Sequence, residues 1–282
     1  MTGWMFEAMA RELAGKSPAL LILTGHDPVK VEAIIKELAN EFPVVKTRAL
    51  IFDISSFEST RNAAAEVLAY PEPSIDILIN NAGVMNLPTR TLSKDGFEMQ
   101  LAINYLGAFL FTNSIMPKLL ASKAPRVTNV TSNGYALSPF RFADYNFDED
   151  KSSNLPEDQQ PPKDNCKDFG VPWGLNYLPP IAYGQSKTAM ILYTRELATR
   201  FKDKNLVATC CNPGPVKTDL WRQMPPDVRE SVFTLDQKLA SSNGAYLDDC
   251  QVKDVTPFAS DAGKAQELWT LSEKLTGKSF AW

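Results

Sequence analysis

The 282-residue chain contains a single histidine, His26, in the turn-like segment Thr24-Gly25-His26-Asp27-Pro28. A Ser-His-Asp hydrolase or an imidazole-based metal centre would have to rest on that one side chain, so neither is expected. Cysteine is also scarce. Cys166, Cys210, Cys211 and Cys250 show no C-x-x-C spacing, which argues for reduced, buried thiols rather than a disulfide framework or a zinc site. Basic charge is not in excess: the formal net charge is −4, leaving no basic face for nucleic acid or an anionic membrane. No run approaches the roughly 18 apolar residues that span a bilayer. The opening Met-Thr-Gly-Trp-Met-Phe-Glu lacks the basic-then-apolar order of a signal peptide. These absences predict a cytoplasmic chain with no membrane span, no bound metal and no nucleic-acid partner.

With 44% hydrophobic residues, the chain can bury one large core, and a single domain over residues 1–282 is expected. Short β-rich apolar runs at 20–24, 46–52, 75–80, 126–131 and 206–211 alternate with longer amphipathic stretches. That alternation is the pattern of βαβ crossovers, and it predicts an α/β fold on a parallel sheet. Asp27-Pro28 offers an N-cap and a first-turn proline to a helix over 29–39, and Ser55 or Ser56 caps one running toward Tyr70. Ser93 and Asp95 are expected to open a pair of helices reaching about Ser122. Further helices are expected over 181–202 and from about 260 to 274, the last closed by Gly277. Residues 142–180 break the rhythm and read as a long insertion. Within it, 161–168 looks mobile, whereas 169–183, with Trp173, Leu175, Tyr177 and Leu178, is apolar enough to pack over a pocket.

The chemistry centres on Tyr183-Gly-Gln-Ser-Lys187, which places a phenol and an ammonium one helical turn apart on one face. A phenol of ordinary pKa near ~10 is a poor base at neutral pH, and a fixed neighbouring cation favours its ionised form. Such a tyrosine can trade a proton with a substrate oxygen. The motif alone is weak, because 8 tyrosines and lysine at roughly 7% of positions give about half a match by chance. Three further segments supply context, each at the C-terminal end of an expected strand, where open α/β sheets bind ligands. They are Asn80-Asn81-Ala82-Gly83, Val130-Thr131-Ser132 and Asn212-Pro213-Gly214-Pro215-Val216-Lys217-Thr218. Each residue has a structural alternative: Asn104 could bridge helix and strand backbone, Ser132 could cap a turn, and Thr218 could cap the following helix.

Taken in this order, these motifs resemble the short-chain dehydrogenase/reductase superfamily, over nearly the whole chain. The resemblance implies a doubly wound, Rossmann-type parallel sheet in a three-layer αβα arrangement. It implies an NAD(P)-dependent oxidoreductase in which Asn104, Ser132, Tyr183 and Lys187 are catalytic, Tyr183 being the acid/base. Lys187 would bind the nicotinamide ribose and lower the tyrosine pKa, and Asn104 would hold a water in the proton relay. Asp53, Asn80, Asn81, Ala82, Gly83, Tyr183, Lys187, Val216 and Thr218 would contact the cofactor. Asp95-Gly96-Phe97-Glu98-Met99-Gln100, the Asn104 segment and Ala182–Lys187 are similar to the retinol-dehydrogenase-like branch, which implies a small lipophilic alcohol, ketone or aldehyde as substrate and specialised metabolism as a setting. Homodimers and homotetramers are common in the superfamily.

What the family has and this sequence lacks is a first strand running into a glycine-rich turn that holds the pyrophosphate. Val29 and Val31 stand where the second and third glycines after Gly25 would be, so residues 20–24 fit the second strand better, with 6–14 as the first helix and Gly3 as the remnant of the turn. The expectation is a chain shortened before its first strand, since a missing central strand would orphan buried backbone groups at about 1–3 kcal/mol each. No arginine follows the second strand to meet a 2′-phosphate; His26-Asp27 stands there. Branch resemblance favours NADP, with NAD open. Two other readings stay open at this point: a binding or regulatory descendant that keeps these residues as relics, and a non-redox isomerase or cyclase using the same pocket.

Overall fold

The computed structural model of the chain describes residues 3–214, 242–249 and 251–281. The first half runs α1 (Gly3–Gly15), β1 (Leu20–Gly25), α2 (Pro28–Glu41), β2 (Lys46–Ile51), α3 (Phe57–Ala69) and β3 (Ile77–Asn80). Next come α4 (Met99–Leu101), a π-helical turn (Ala102–Leu106), α5 (Gly107–Ser114), α6 (Met116–Leu120), β4 (Arg126–Val130) and a 3-10 turn (Asn133–Leu137). Two short helices, α7 (Glu149–Ser152) and α8 (Lys163–Asp168), precede the long α9 (Pro179–Arg200) and β5 (Val207–Asn212). The chain then forms β6 (Tyr246–Asp248), β7 (Gln251–Lys253), α10 (Pro257–Ser260) and α11 (Ala262–Thr276).

All five expected strands are present, flanked by helical layers in a Rossmann-type α/β architecture. β6 and β7 were not anticipated; at three residues each they are too short to show a period. Local signals account for the helix ends. Asp27 accepts from the Val29 and Lys30 amides at the start of α2, Ser56 caps α3 through the Ser59 amide, and Gly277 closes α11 at φ 63°.

The described strands form two sheets. β1 and β2 pair in parallel, and β3-β4-β5-β6 form a parallel ladder completed by antiparallel β7. The division falls between β1 and β3, where the order of the resembled superfamily puts its first strand. Its mark is burial: β4 is buried from Val127 to Val130, whereas every residue of β3 is half-buried and only Leu23 of β1 is fully buried. The smaller sheet has its own apolar cluster with α1 and α2, formed by Ala10, Ala14, Leu23, Val31 and Leu38. It is joined to the larger one through α3, whose Phe57, Ala63, Ala64 and Val67 share a core with Leu101, Leu106 and Phe109. Phe52 stacks on Phe111 at 5.1 Å between centroids. α11 then covers α5 and α9: Trp269 packs edge-on against Phe109 at 5.2 Å, and Tyr105 and Ser272 share a hydrogen bond of 2.6 Å. No helix among the described residues is long and apolar enough to cross a membrane.

Two expectations are corrected. Ser93 and Asp95 do not open a helix. Gly96 sits at φ 84° in a tight turn closed by the Ser93 amide donating to the Phe97 carbonyl at 2.7 Å, and helix starts only at Met99, capped by Glu98. Asp95 instead accepts from the Phe57 amide at 2.8 Å, capping α3 from a distance in sequence. The insertion at 142–180 is also more ordered than expected at 161–168. There α8 forms because Cys166 is buried against Leu137 and Ile181 and Asn165 Nδ2 donates to the Ala136 carbonyl at 2.7 Å. Its root is the fully buried Arg141, which donates to Asp144 at 2.6 Å and Ser152 at 3.1 Å.

Candidate active site

The start of α9 and the turn after β4 are forced together by glycine. A β-carbon on Gly184 would lie 2.7 Å from the Gly134 carbonyl, so the helix can seat against the 3-10 turn only because Gly184 has none. This contact brings Ser132, at the head of that turn, beside Tyr183: a β-carbon on Gly134 would lie 3.1 Å from the Tyr183 ring and 3.5 Å from Ser132 Oγ. Ser132 Oγ also accepts from the Gly134 amide at 3.2 Å; it caps the turn and faces the phenol at once.

Lys187 lies one turn further along α9. It is 4% exposed, donates from Nζ to the Val130 carbonyl at 3.1 Å, and sits 5.4 Å from the Tyr183 ring centroid. Burial lowers its pKa to about 8, with Cys211 acting in the opposite direction. Tyr183 is dominated by burial, which pushes its phenol above the ordinary tyrosine value, while the nearby Ser132 hydroxyl acts in the opposite direction. The cation is near the phenol as the spacing predicts, yet burial governs the phenol and moves its pKa up rather than down.

Asn104 occupies the π-helical turn before α5, a distortion common at functional sites. Its Oδ1 accepts from the Val84 amide at 2.7 Å, and its Nδ2 donates to the Val84 carbonyl and to Ser186 Oγ, both at 2.9 Å. Ser186 Oγ donates in turn to the Tyr183 carbonyl at 2.7 Å. The amide hydrogens of Asn104 are therefore used within the protein, so this side chain bridges backbone segments and has no N–H left to give a water. Ser186 was not picked out from the sequence, although it stands inside the Tyr183–Lys187 motif. Gln185 was missed as well. It accepts from the Arg141 amide at 3.2 Å and donates to the Tyr145 carbonyl at 2.9 Å, tying α9 to the root of the insertion.

Of the residues expected at the cofactor, Gly83 is placed closest to the lysine: a β-carbon there would lie 3.2 Å from Asn104 Oδ1 and 3.5 Å from Lys187 Nζ. Asn81 keeps a buried Oδ1 without a hydrogen-bond partner among the described residues, and Ala82 is exposed. An unmet acceptor beside a backbone stripped of side chains fits a polar planar ligand lying across the ends of the strands. Asn80 points elsewhere. Its Nδ2 donates to Thr112 Oγ1 at 3.0 Å and Asn129 Oδ1 at 2.8 Å, joining sheet to helix. Asp53 is exposed at the end of β2, with Oδ1 accepting from the amide and hydroxyl of Ser55 at 2.9 and 2.6 Å. Val216 and Thr218 lie outside the described residues. Among the described residues no group of three or more His, Cys, Asp or Glu could hold a metal ion.

Comparison with known proteins shows the family. The sequence pattern of the short chain dehydrogenase family matches residues 6–146. An oxidoreductase, fscI, from Fusarium equiseti is 37% identical over 216 residues, covering 75% of this chain and 83% of the relative. Human retinol dehydrogenase 13 is 31% identical over 281 residues, covering 91% of this chain and 77% of its own length. Among solved structures, an uncharacterized protein from Mycobacterium paratuberculosis superposes with a TM-score of 0.71 at 27% identity, over 98% of this chain and 90% of the other. The fold is shared with an NADPH-bound carbonyl reductase from chicken fatty liver, with a TM-score of 0.60 at 17% identity, over 88% of this chain and 93% of that one. The chain belongs to the short-chain dehydrogenase family, in its retinol-dehydrogenase-like branch, and is an NAD(P)-dependent oxidoreductase.

Proposed function

We propose that the chain interconverts a lipophilic alcohol and its ketone or aldehyde with NADP(H), in specialised metabolism, using Ser132, Tyr183 and Lys187 at the reacting centre. The observation that carries this reading is the placement of Ser132 Oγ and the Tyr183 ring together against Gly134, with Lys187 Nζ 5.4 Å from that ring. The bound nicotinamide supplies or accepts the hydride. Ser132 Oγ and the Tyr183 hydroxyl then converge on one substrate oxygen. In the reducing direction Tyr183 donates its proton to that oxygen, and its raised pKa keeps the proton available at neutral pH. Lys187 offers a positive charge that stabilises the phenolate left behind. Asn104 holds Val84, and with it the Gly83 backbone, against α9. Gly83, Ala82 and the unmet Asn81 Oδ1 would line the cofactor side.

The preference for NADP rests on the branch resemblance. Titrating the full chain with NADPH and NADH, followed by cofactor fluorescence, is expected to give an NADPH dissociation constant at least about tenfold lower, the effect of one good contact to the extra phosphate. Equal affinities, or tighter NADH, would overturn the NADP assignment while leaving the oxidoreductase reading intact.

A further inference from the structure

Two chain segments leave the Tyr183–Lys187 pair in different directions and meet again through one hydroxyl. The first runs from Gly83, adjoining Lys187 Nζ, through Val84, gripped at both backbone atoms by Asn104, and turns at Asn86, whose φ is 55°, to Leu87. The second is the end of the insertion, residues 169–178, which packs on Leu137, Ile181 and Ala182 immediately before Tyr183. Tyr177 closes the gap. Its hydroxyl donates to the Leu87 carbonyl at 2.9 Å and accepts from Gln100 Nε2 at 3.3 Å. Gln100 Nε2 also donates to the Pro179 carbonyl at 3.1 Å, so α4, α9 and both segments share one junction. The Tyr177 ring is held edge-on by Phe147, 5.7 Å away at 85°. Beyond the junction both segments present apolar side chains to solvent: Met85 is 61% exposed, Phe169 48% and Trp173 41%.

We propose that Tyr177 is a specificity-determining positioning residue that latches the 84–87 loop to the 169–178 strap beside the Tyr183 end of α9, fixing the approach of a long lipophilic substrate. The proposal rests on the oxidoreductase reading for its substrate and on hydrogen bonds alone for the latch. Tyr177 acts on the substrate through the loop it holds; it moves no proton in the reaction.

Tyr177→Phe removes the hydroxyl and keeps the ring against Phe147, so the fold is preserved while the latch opens. Hydrogen exchange of the full-length variant, read by mass spectrometry, is expected to quicken about fivefold or more in both 84–92 and 169–178, with α9 and α11 unchanged; one lost buried hydrogen bond has an effect of that order. Steady-state reduction of hexanal and tetradecanal with NADPH is the second readout. The variant should keep kcat for hexanal within about twofold, while KM for tetradecanal changes at least about fivefold. Unchanged exchange in either segment overturns the latch. Faster exchange with an unchanged tetradecanal-to-hexanal ratio overturns the specificity role. If the unmodified chain reduces neither aldehyde, the exchange measurement still decides the latch, and the failure belongs to the substrate assignment.

Discussion

Replacing Tyr183 with Phe is expected to lower turnover by about 10³-fold, within the range attributed to a positioned general acid, while NADPH affinity stays within about threefold. The geometry separates the two effects. Tyr183 lies with Ser132 against Gly134, on the side where a substrate oxygen would lie, whereas the residues fitted to the cofactor, Asn81 and Gly83, follow β3, Gly83 next to Lys187. Phenylalanine keeps the ring that packs over Gly134 and loses only the hydroxyl. Rates and NADPH titrations of the same protein check this. Retained turnover would remove Tyr183 from the chemistry, and a parallel loss of cofactor binding would mean that the substitution had disturbed the site as a whole.

The second large effect is on stability. Gly107→Ala should cost about 3 kcal/mol or more, at the upper end of overpacking substitutions, and lower Tm by roughly 6–12 °C for a chain of this size. A β-carbon at Gly107 would lie 2.2 Å from the Ile54 carbonyl oxygen and 2.5 Å from its side chain. The first of these atoms is backbone and cannot swing aside. The contact is where α5 meets the loop between β2 and α3, within the core that joins the smaller sheet's side of the molecule to the larger. Gly15→Ala makes the same chemical change near the end of α1, where the nearest atom would be Phe42 Cε1 at 3.8 Å. It should be neutral or stabilising by about 0.5–1 kcal/mol. Thermal melts of the two variants test the argument by sign as well as by size.

Periodicity located the five main strands because each is a compact apolar run, and capping chemistry located α2 and α3 because Asp27 and Ser56 act within three residues. The failures share a cause, which is that the deciding contact is distant in sequence. Asp95 reads as a local cap, yet it serves α3, 38 residues earlier. The order of α8 depends on Cys166 meeting Leu137 and Ile181, which no window of sequence reveals. The site follows the same division. Tyr183 and Lys187 are legible because four-residue spacing on a helix fixes their relation. Ser132 is legible because it ends a strand. The spending of Asn104 on Val84 and Ser186, the inward turn of Asn80 and the latch at Tyr177 are consequences of tertiary packing. The raised Tyr183 pKa belongs with them, since the sequence displays the neighbouring lysine but not the depth of burial that overrides it.

The central claim is that hydride passes to a carbonyl carbon while this chain supplies the proton. Incubating the full chain with NADPH carrying two deuterium atoms at C4 and a lipophilic aldehyde, then weighing the product alcohol, tests it most directly. The alcohol should carry one deuterium on its carbinol carbon, and Tyr183→Phe should abolish its formation. Conversion of the aldehyde without deuterium transfer, or an alcohol with hydrogen alone at that carbon, would contradict the account.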